Sequence, residues 1–333
     1  MKILVTGANG FFGSRVTSAL VADQSREVVL FARPGRQDNL PRGANLRVAS
    51  GDLTDSGTVR RALAGCDAVI HTAAHVATWA RRPEVFERVN VDATLDLLTG
   101  AGEAGVGKII YVSSFLALRH STDGRPVTEE TPFERGDHYN DYERTKYAAN
   151  LRAQELARAG LPLVTIYPAV LYGPGPLTSG NLIASMIVDF MNRRLPAKLG
   201  DGKPRWNFVF VEDAVRGVLL ALEKANPPDR FILGGENLSL AQFFNTLEKI
   251  TGVKQPRFSV PFGLARLAGA AEEFLAVLTG RMPQTTRAVV DIFHRDWIFD
   301  SAKAVDRLGY APRSFADGVR QTVEWIRSQG LAR

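Results

Sequence analysis

The chain opens with Met1-Lys2-Ile3-Leu4-Val5-Thr6-Gly7-Ala8-Asn9-Gly10-Phe11-Phe12-Gly13, a short apolar run followed by three regularly spaced glycines. Ile3–Thr6 has the pattern of a buried strand, and apolar residues then recur at helical spacing as far as Leu20. Glycines permit a tight turn and close approach of the backbone to a pyrophosphate, and a helix N-terminus supplies unpaired N–H groups. The stretch therefore predicts a dinucleotide cradle, with a plain glycine-rich turn as the alternative. The residues expected to hold the dinucleotide here are Gly7, Asn9, Gly10, Phe11, Phe12 and Gly13.

Beyond the glycines, β-rich and helical patterns alternate. Strands are predicted at Val28–Phe31, Leu46–Ala49, Ala68–His71, Lys108–Ser113 and Leu163–Tyr167, and helices at Thr58–Ala64, Val85–Glu103 and Tyr142–Ala159. Such alternation with continuous apolar strands indicates a parallel sheet covered on both faces. We predict an α/β fold: a doubly wound parallel sheet of the Rossmann type with a smaller, interleaved C-terminal substrate lobe.

The alternation changes after Pro168, where the turn cluster Gly173-Pro174-Gly175-Pro176 follows. The later patterns predict a strand at Trp206–Val211, a helix at Asp213–Glu223 that returns to the main sheet, and a short strand at Phe231–Leu233. We therefore expect a dinucleotide-binding domain over 1–172 that also receives about 206–225. The substrate-binding lobe is expected to comprise 173–205 and 226–333.

Composition narrows the class of protein. The 333 residues include a single cysteine, Cys66, which rules out an intramolecular disulfide and fits a reducing, cytoplasmic compartment. The net charge is +6, but the basic residues are scattered, so an anionic cofactor explains the charge and we expect no nucleic-acid partner and no metal site. The longest apolar stretch, Pro261–Leu278, is interrupted by charges and is predicted to be an amphipathic helix. Packing is the favoured reading of it, and peripheral membrane contact is the alternative.

Tyr142 and Lys146 are four residues apart on a predicted helix, which brings a phenol and an ammonium to one helix face. A neighbouring cation stabilises the phenolate, so we expect it to lower the pKa of Tyr142 and suit it to proton transfer. Ser113 and Ser114 follow a predicted strand, at the sheet edge where ligands of open α/β sheets bind. Together these residues predict redox chemistry at a carbon–oxygen centre.

The end of the second predicted strand bears on the choice of nicotinamide cofactor. An acidic residue there would bond the ribose 2′-hydroxyl of NAD, whereas an arginine would accept the 2′-phosphate of NADP. This chain has Ala32 in that slot, with Arg33 and Arg36 close behind, so NADP is predicted in preference to NAD. Asp52 and Leu53 follow the next strand, where Asp52 could bond the adenine amino group or form an Asx-turn.

Along nearly its full length the sequence resembles the extended short-chain dehydrogenase/reductase family. The segments that carry the resemblance are Thr6–Gly13, His71-Thr72-Ala73-Ala74, Asn90-Val91-Asp92-Ala93-Thr94, Val112-Ser113-Ser114, Tyr142-x-x-x-Lys146, Pro168-x-x-x-Tyr172-Gly173-Pro174 and Phe208–Asp213. The resemblance implies that Tyr142 is the acid/base, that Lys146 holds the ribose and that Ser114 polarises the substrate oxygen. It also makes Asn90 a relay residue and implies a homodimer. The remaining cofactor contacts that it implies are Ala73, Ala74, His75, Val112, Tyr167, Pro168 and Val170.

Within the family, the chain is similar to dihydroflavonol-4-reductase-like, 3β-hydroxysteroid-dehydrogenase-like and hopanoid-associated epimerase-like proteins. Sugar-nucleotide epimerases usually carry Arg-Asp before the aromatic that corresponds to Phe208, and the arginine grips diphosphate. Here those places hold Trp206 and Asn207, with Arg205 one position early, which weakens the sugar-nucleotide reading. An apolar substrate pocket is expected instead, and the side chains expected to contribute to it are Trp79, Phe115 and Trp206.

Three functions follow from these observations. The first is an NADPH-dependent reductase, reversible as a dehydrogenase, that acts on a hydrophobic ketone, aldehyde or alcohol. The second is a nucleotide-sugar epimerase or dehydratase that recycles bound cofactor. The third is a non-catalytic regulator that binds NADP, which would normally have lost the tyrosine or the lysine; both are present.

Overall fold

Buried apolar strands form the framework of the protein. The computed structural model describes residues 1–35, 40–77, 79–132, 140–281, 283 and 285–332. The strands are β1 Lys2–Thr6, β2 Glu27–Ala32, β3 Leu46–Ser50, β4 Ala68–His71, β5 Lys108–Val112, β6 Leu163–Pro168, β7 Val170–Tyr172, β8 Lys198–Leu199, β9 Arg205–Phe210, β10 Asp229–Leu233, β11 Glu236–Ser239 and β12 Ser259–Val260. Within the described residues, seven of them form one parallel sheet in the order β10-β6-β5-β4-β1-β2-β3.

Helices connect the strands and cover the sheet. They are α1 Phe11–Val21, α2 Ser56–Leu63, α3 Glu84–Glu87, α4 Ala93–Glu103, α5 Asp141–Arg158, α6 Leu182–Met191, α7 Val211–Lys224, α8 Leu240–Thr251, α9 Phe262–Thr279, α10 Arg287–Phe293, α11 Ala302–Leu308 and α12 Phe315–Ser328. Their starts are set locally: the Asp55 side chain caps α2, and Ser239 and Gln242 form a reciprocal capping box on α8.

The chain reverses direction across the sheet beside β1. It runs from β1 through β2 to β3 on one side and then crosses to β4 on the other. The carboxyl ends of β1 and β4 therefore border the crevice at which ligands of this architecture bind. The central strands are buried on both faces, as the continuous apolar run in β1 shows. The predicted doubly wound fold is confirmed.

The second half of the chain interleaves with this sheet. Strands β11, β9 and β7 form a small separate sheet, and β8 pairs with β12. Helix α7 returns to the main sheet, where it packs against α1, β5 and β6. The prediction differs from the structure in two places. β9, which the prediction gave to the dinucleotide-binding domain, lies in the small sheet, and β10, assigned to the lobe, extends the main sheet by pairing in parallel with β6. The reason for the second is the buried run Phe231–Leu233, which suits a strand covered on both faces. The other domain bounds stay a prediction.

Two further findings concern the described part of the chain. None of its helices combines the length and the apolar character needed to cross a membrane. No group of three or more potential ligand side chains is placed there to hold a metal ion.

Candidate active site

The glycine turn between β1 and α1 leaves no room for side chains. Gly7 has a φ of +81°, and a Cβ there would lie 2.6 Å from the backbone nitrogen of Ala73. A Cβ on Gly13 would lie 2.2 Å from the carbonyl oxygen of Gly7. The turn is closed by a hydrogen bond from the Gly10 nitrogen to that same oxygen, at 2.9 Å. The backbone thus presents the start of α1 at the crevice, which fits a pyrophosphate.

A basic residue, Arg33, directly follows the end of β2. Ala32 is buried, and the Arg33 side chain that follows it is exposed. The backbone N–H of Thr54 is the main cause of a lowered pKa for Asp52, and the Arg33 guanidinium adds to the effect. Asp52 Oδ1 accepts hydrogen bonds from the Thr54 nitrogen at 2.9 Å and its hydroxyl at 2.8 Å, so an Asx-turn occupies that oxygen. Leu53 is largely buried, and Arg36 lies outside the described residues.

A neutral histidine fixes the end of β4. His71 is fully buried; its Nδ1 lies 2.7 Å from the Thr6 hydroxyl and its Nε2 lies 3.0 Å from the Thr94 hydroxyl. Burial lowers the pKa of His71 to about 3, so the ring is uncharged at neutral pH. The sequence placed His71 in a family segment but did not predict its hydrogen bonds to the two threonines. The parallel register, which pairs Thr6 with His71, is the signal that could have found the bond to Thr6.

Asn90 joins the loop after β4 to helix α5. Its Oδ1 accepts a hydrogen bond from the His75 nitrogen at 2.7 Å, and its Nδ2 lies 3.2 Å from both the His75 carbonyl and the Thr145 hydroxyl. A π-helical turn over Arg88–Asp92, between α3 and α4, presents this side chain. Both ends of the amide are therefore occupied by the protein, which makes Asn90 a positioning residue. Its predicted part as a relay gains no support from these contacts.

Tyr142, Lys146 and Ser114 come together at the carboxyl end of β5. Ser114 follows β5, and its hydroxyl lies near enough to the Tyr142 phenol to oppose the rise in the pKa of that phenol. Lys146 lies one turn further along α5, is 2% exposed, and has its Nζ 3.5 Å from the carbonyl oxygen of Val112. The Nζ also lies 5.1 Å from the centre of the Tyr111 ring, at cation–π distance. A phenol, a hydroxyl and an amine thus converge on one edge of the sheet.

Burial dominates the acid–base properties of this cluster. It raises the pKa of Tyr142 to about 12, while the neighbouring Ser114 hydroxyl acts in the opposite direction. It also lowers the pKa of Lys146 to about 7. The expectation that the ammonium lowers the tyrosine pKa is therefore wrong for the protein alone, because desolvation of the phenolate raises that pKa. At neutral pH the phenol is protonated and Lys146 is partly neutral.

The remaining predicted cofactor contacts lie at neighbouring strand ends. Val112, at the end of β5, and Val170, at the start of β7, are nearly buried, and Pro168 ends β6. Tyr167 differs from the prediction. Its side chain is fully buried and its hydroxyl donates to Asn150 of α5 at 2.8 Å, so the ring supports that helix from the core.

The predicted substrate aromatics divide into two groups. Phe115, next to Ser114, is half-buried and makes edge-to-face contacts with Trp297 and Phe299, with ring centres 5.3 and 6.0 Å apart. Trp79 is also half-buried. Trp206 is a core residue, contrary to the prediction. It is 4% exposed, and its Nε1 donates to a backbone carbonyl, so the ring is held inside the lobe.

The arginine nearest to the diphosphate clamp of sugar-nucleotide enzymes is already paired. The Nε and Nη2 atoms of Arg205 lie 3.0 and 2.5 Å from Oδ2 of Asp296. The Asn207 amide is used inside the lobe, where it accepts from the Gly235 nitrogen at 2.7 Å and donates to Asn237 at 2.8 Å. Neither side chain offers a cationic clamp to a substrate.

The glycine cradle, the Ser–Tyr–Lys cluster and the doubly wound sheet define a nicotinamide-dependent enzyme that acts on alcohol or keto groups. The chain belongs to the NAD dependent epimerase/dehydratase family, whose model matches residues 3–234. This confirms the resemblance drawn from the sequence.

Individual relatives match along the whole chain. Over 99% of its length it is 32% identical to "Sterol demethylase protein B" of Methylococcus capsulatus, of which it covers 100%. Over the same share it is 30% identical to "Putative dihydroflavonol 4-reductase" of Synechocystis sp., of which it covers 95%. Among solved structures, that of gox2253 is 34% identical, with a TM-score of 0.84 over 99% of each chain.

Proposed function

We propose that this protein is an NADP(H)-dependent oxidoreductase that interconverts a hydrophobic ketone or aldehyde and its alcohol. The observation that carries the proposal is the proximity of the Ser114 hydroxyl and the Tyr142 phenol beside the buried amine of Lys146. A substrate oxygen bound between these two hydroxyls would contact a proton donor and a polarising hydroxyl together.

The protonation states favour the reductive direction. Because burial holds the pKa of Tyr142 at about 12, the phenol carries its proton at neutral pH and can donate it to a substrate oxygen that gains negative charge. Ser114 orients and polarises that oxygen. Lys146, when protonated, stabilises the phenolate that remains. NADPH, when bound, supplies the hydride to the carbonyl carbon.

NADP is proposed over NAD because β2 ends without a carboxylate and Arg33 extends from it into solvent. The family description names NAD, which is therefore the alternative. Replacing Arg33 with Ala tests the proposal. We expect the dissociation constant of NADPH to rise at least about ten-fold and that of NADH to change little, since a bidentate phosphate contact is lost. Equal changes for both cofactors would contradict the assignment.

A hydrophobic substrate is proposed on three grounds. Ser114 has an aromatic neighbour, Phe115, that packs on Trp297 and Phe299. Arg205 is occupied by Asp296 and leaves no clamp for diphosphate. Two relatives carry names that refer to sterols and dihydroflavonols.

The test is a screen of NADPH oxidation against steroid ketones, flavonoid-like ketones, aliphatic aldehydes and nucleotide sugars. We expect turnover with members of the first three groups. The family also contains epimerases and dehydratases, and that alternative predicts conversion of nucleotide sugars without net consumption of cofactor. Such conversion, with no ketone turned over, would overturn the proposal. A homodimer and a cytoplasmic location stay predictions from the sequence, and size-exclusion chromatography with light scattering tests the first.

A further inference from the structure

Helix α9 turns its apolar side outward. Of the fifteen large apolar side chains exposed among the described residues, eight lie between positions 258 and 278. Its outer face is defined here by six of them, each 54 to 69% exposed: Leu264, Leu267, Phe274, Leu275, Val277 and Leu278. The separations of three, four and seven residues place them on one side of the helix. A continuous patch of this kind, on the order of several hundred Å², marks an interaction site.

The charged residues of α9 pair with other residues of the same chain. Arg266 pairs with Asp291 of α10 at 3.1 Å, and Glu273 pairs with Arg287 of α10 at 2.7 Å. Glu272 accepts a hydrogen bond from the Thr285 nitrogen. The polarity of this helix is thus the reverse of an ordinary surface helix, and no carboxylate remains on its outer face.

Arginines stand at both ends of the outer face. Arg257 precedes the helix and Arg281 follows it, and both are exposed. Arg81 reaches the C-terminal end, where its Nη1 lies 3.9 Å from the position of a Cβ on Gly280. Within the described ranges none of the three has an ion-pair partner. A second copy of the chain would bring arginine to arginine at this face, whichever way the two helices ran, because the face offers no acidic group. Charge complementarity therefore favours an anionic occupant over a copy of the chain.

We propose that the outer face of α9 docks on an anionic phospholipid surface, with its apolar side chains at the acyl boundary and the flanking arginines among the head groups. The site is one helix away from the proposed chemistry, because α10 packs on α9 and lies close to Glu143, the neighbour of Tyr142. Burial raises the pKa of Glu143, and the Asp291 carboxylate of α10 adds to that rise. Docking would place the enzyme where an apolar ketone or alcohol dissolves. This inference goes beyond the proposed function and does not depend on turnover.

The test is flotation of the full-length protein with two kinds of vesicle, pure phosphatidylcholine and a mixture in which about a third of the lipid is phosphatidylglycerol. We expect the wild type to float with the mixed vesicles, and binding to fall as salt rises. The double variant Leu267→Glu/Phe274→Glu should bind at least about ten-fold more weakly. Val305→Glu, at an exposed apolar position on α11, is the matched control and should bind like the wild type. Replacing Arg281 with Gln should weaken binding by about five-fold.

Several outcomes would overturn the proposal. One is that the wild type does not float with the mixed vesicles. Another is that it binds pure phosphatidylcholine vesicles equally well, which would mean that the arginines do not contribute to binding. A dimer that the double variant dissociates, without vesicle binding, would assign the face to a second copy. Thermal unfolding of each variant shows that it is folded. Reduction of a water-soluble ketone is measured separately, so failure of the proposed function and failure of docking can be told apart.

Discussion

Replacing Gly13 with Ala tests the cofactor cradle, because the magnitude follows from the backbone. The new Cβ would lie 2.2 Å from the Gly7 carbonyl oxygen and 2.4 Å from the Thr72 hydroxyl, whereas ordinary contact begins at 3.4 Å. The turn and the start of α1 must therefore separate by about 1.2 Å, the difference between 3.4 and 2.2 Å. Overpacking of this kind costs about 1–3 kcal/mol of stability.

The same displacement moves the helix N-terminus away from the pyrophosphate position. We expect the dissociation constant of NADPH, measured by titration calorimetry, to rise roughly 100-fold, since a 1 Å misplacement can cost that much. Gly10→Ala, whose Cβ would lie 3.3 Å from the Gly7 oxygen, should have a much smaller effect. Gly263→Ala, where nothing lies within 4 Å, is the control and should bind normally. If Gly13→Ala bound NADPH within two-fold of the wild type, the placement of the cradle would be wrong.

Three further perturbations address the rest of the site. Asn90→Ala should lower the free energy of unfolding by about 3 kcal/mol in urea titrations and reduce turnover, because buried backbone groups lose their partner; a change under about 0.5 kcal/mol would contradict its positioning role. Because the pKa of Lys146 is about 7 in the folded protein, against about 10.4 unfolded, the unfolded chain binds more protons between these values and stability should rise with pH. Glu143, with a pKa raised to about 8, acts in the opposite sense below that pH, so the slope is read between about pH 8 and 10, and Lys146→Met should remove it. Trp206→Ala should lower the free energy of unfolding by about 3–5 kcal/mol, because the ring is buried in the core. Phe115→Ala should chiefly raise the KM for the ketone. The reverse pattern would indicate that Trp206, and not Phe115, lines the substrate pocket.

Local patterns in the sequence predicted much of the fold and of the site. The strand, the three glycines and the following helix are contiguous, so their geometry depends on residues that are adjacent in the chain. Tyr142 and Lys146 lie one turn apart on a helix and were equally accessible. The rule that polar residues at the carboxyl ends of parallel strands share one edge predicted Ser113 and Ser114 there, and the family resemblance then singled out Ser114.

What the sequence did not predict depends on tertiary placement. The short apolar run Phe231–Leu233 suits a strand covered on both faces, but the pairing of β10 with β6 joins residues far apart in the chain. Trp206 has the composition of either a pocket wall or a core, and only its burial decides between them. The π-helical turn that presents Asn90 has no signature in the local sequence, which is typical of an ordinary helix. The direction in which the Tyr142 pKa shifts also depends on burial, which the local sequence does not reveal. The outward apolar side of α9 was visible as an amphipathic stretch, but which side faces the protein was not.

The central claim is that Tyr142 donates a proton to a substrate oxygen while a bound nicotinamide delivers hydride. The measurement that tests it most directly is single-turnover reduction of a ketone by the Tyr142→Phe variant loaded with NADPH. We expect the rate to fall at least about 100-fold, as for loss of a general acid, with the dissociation constant of NADPH unchanged. Hydride transfer at a rate near that of the wild type would contradict the account.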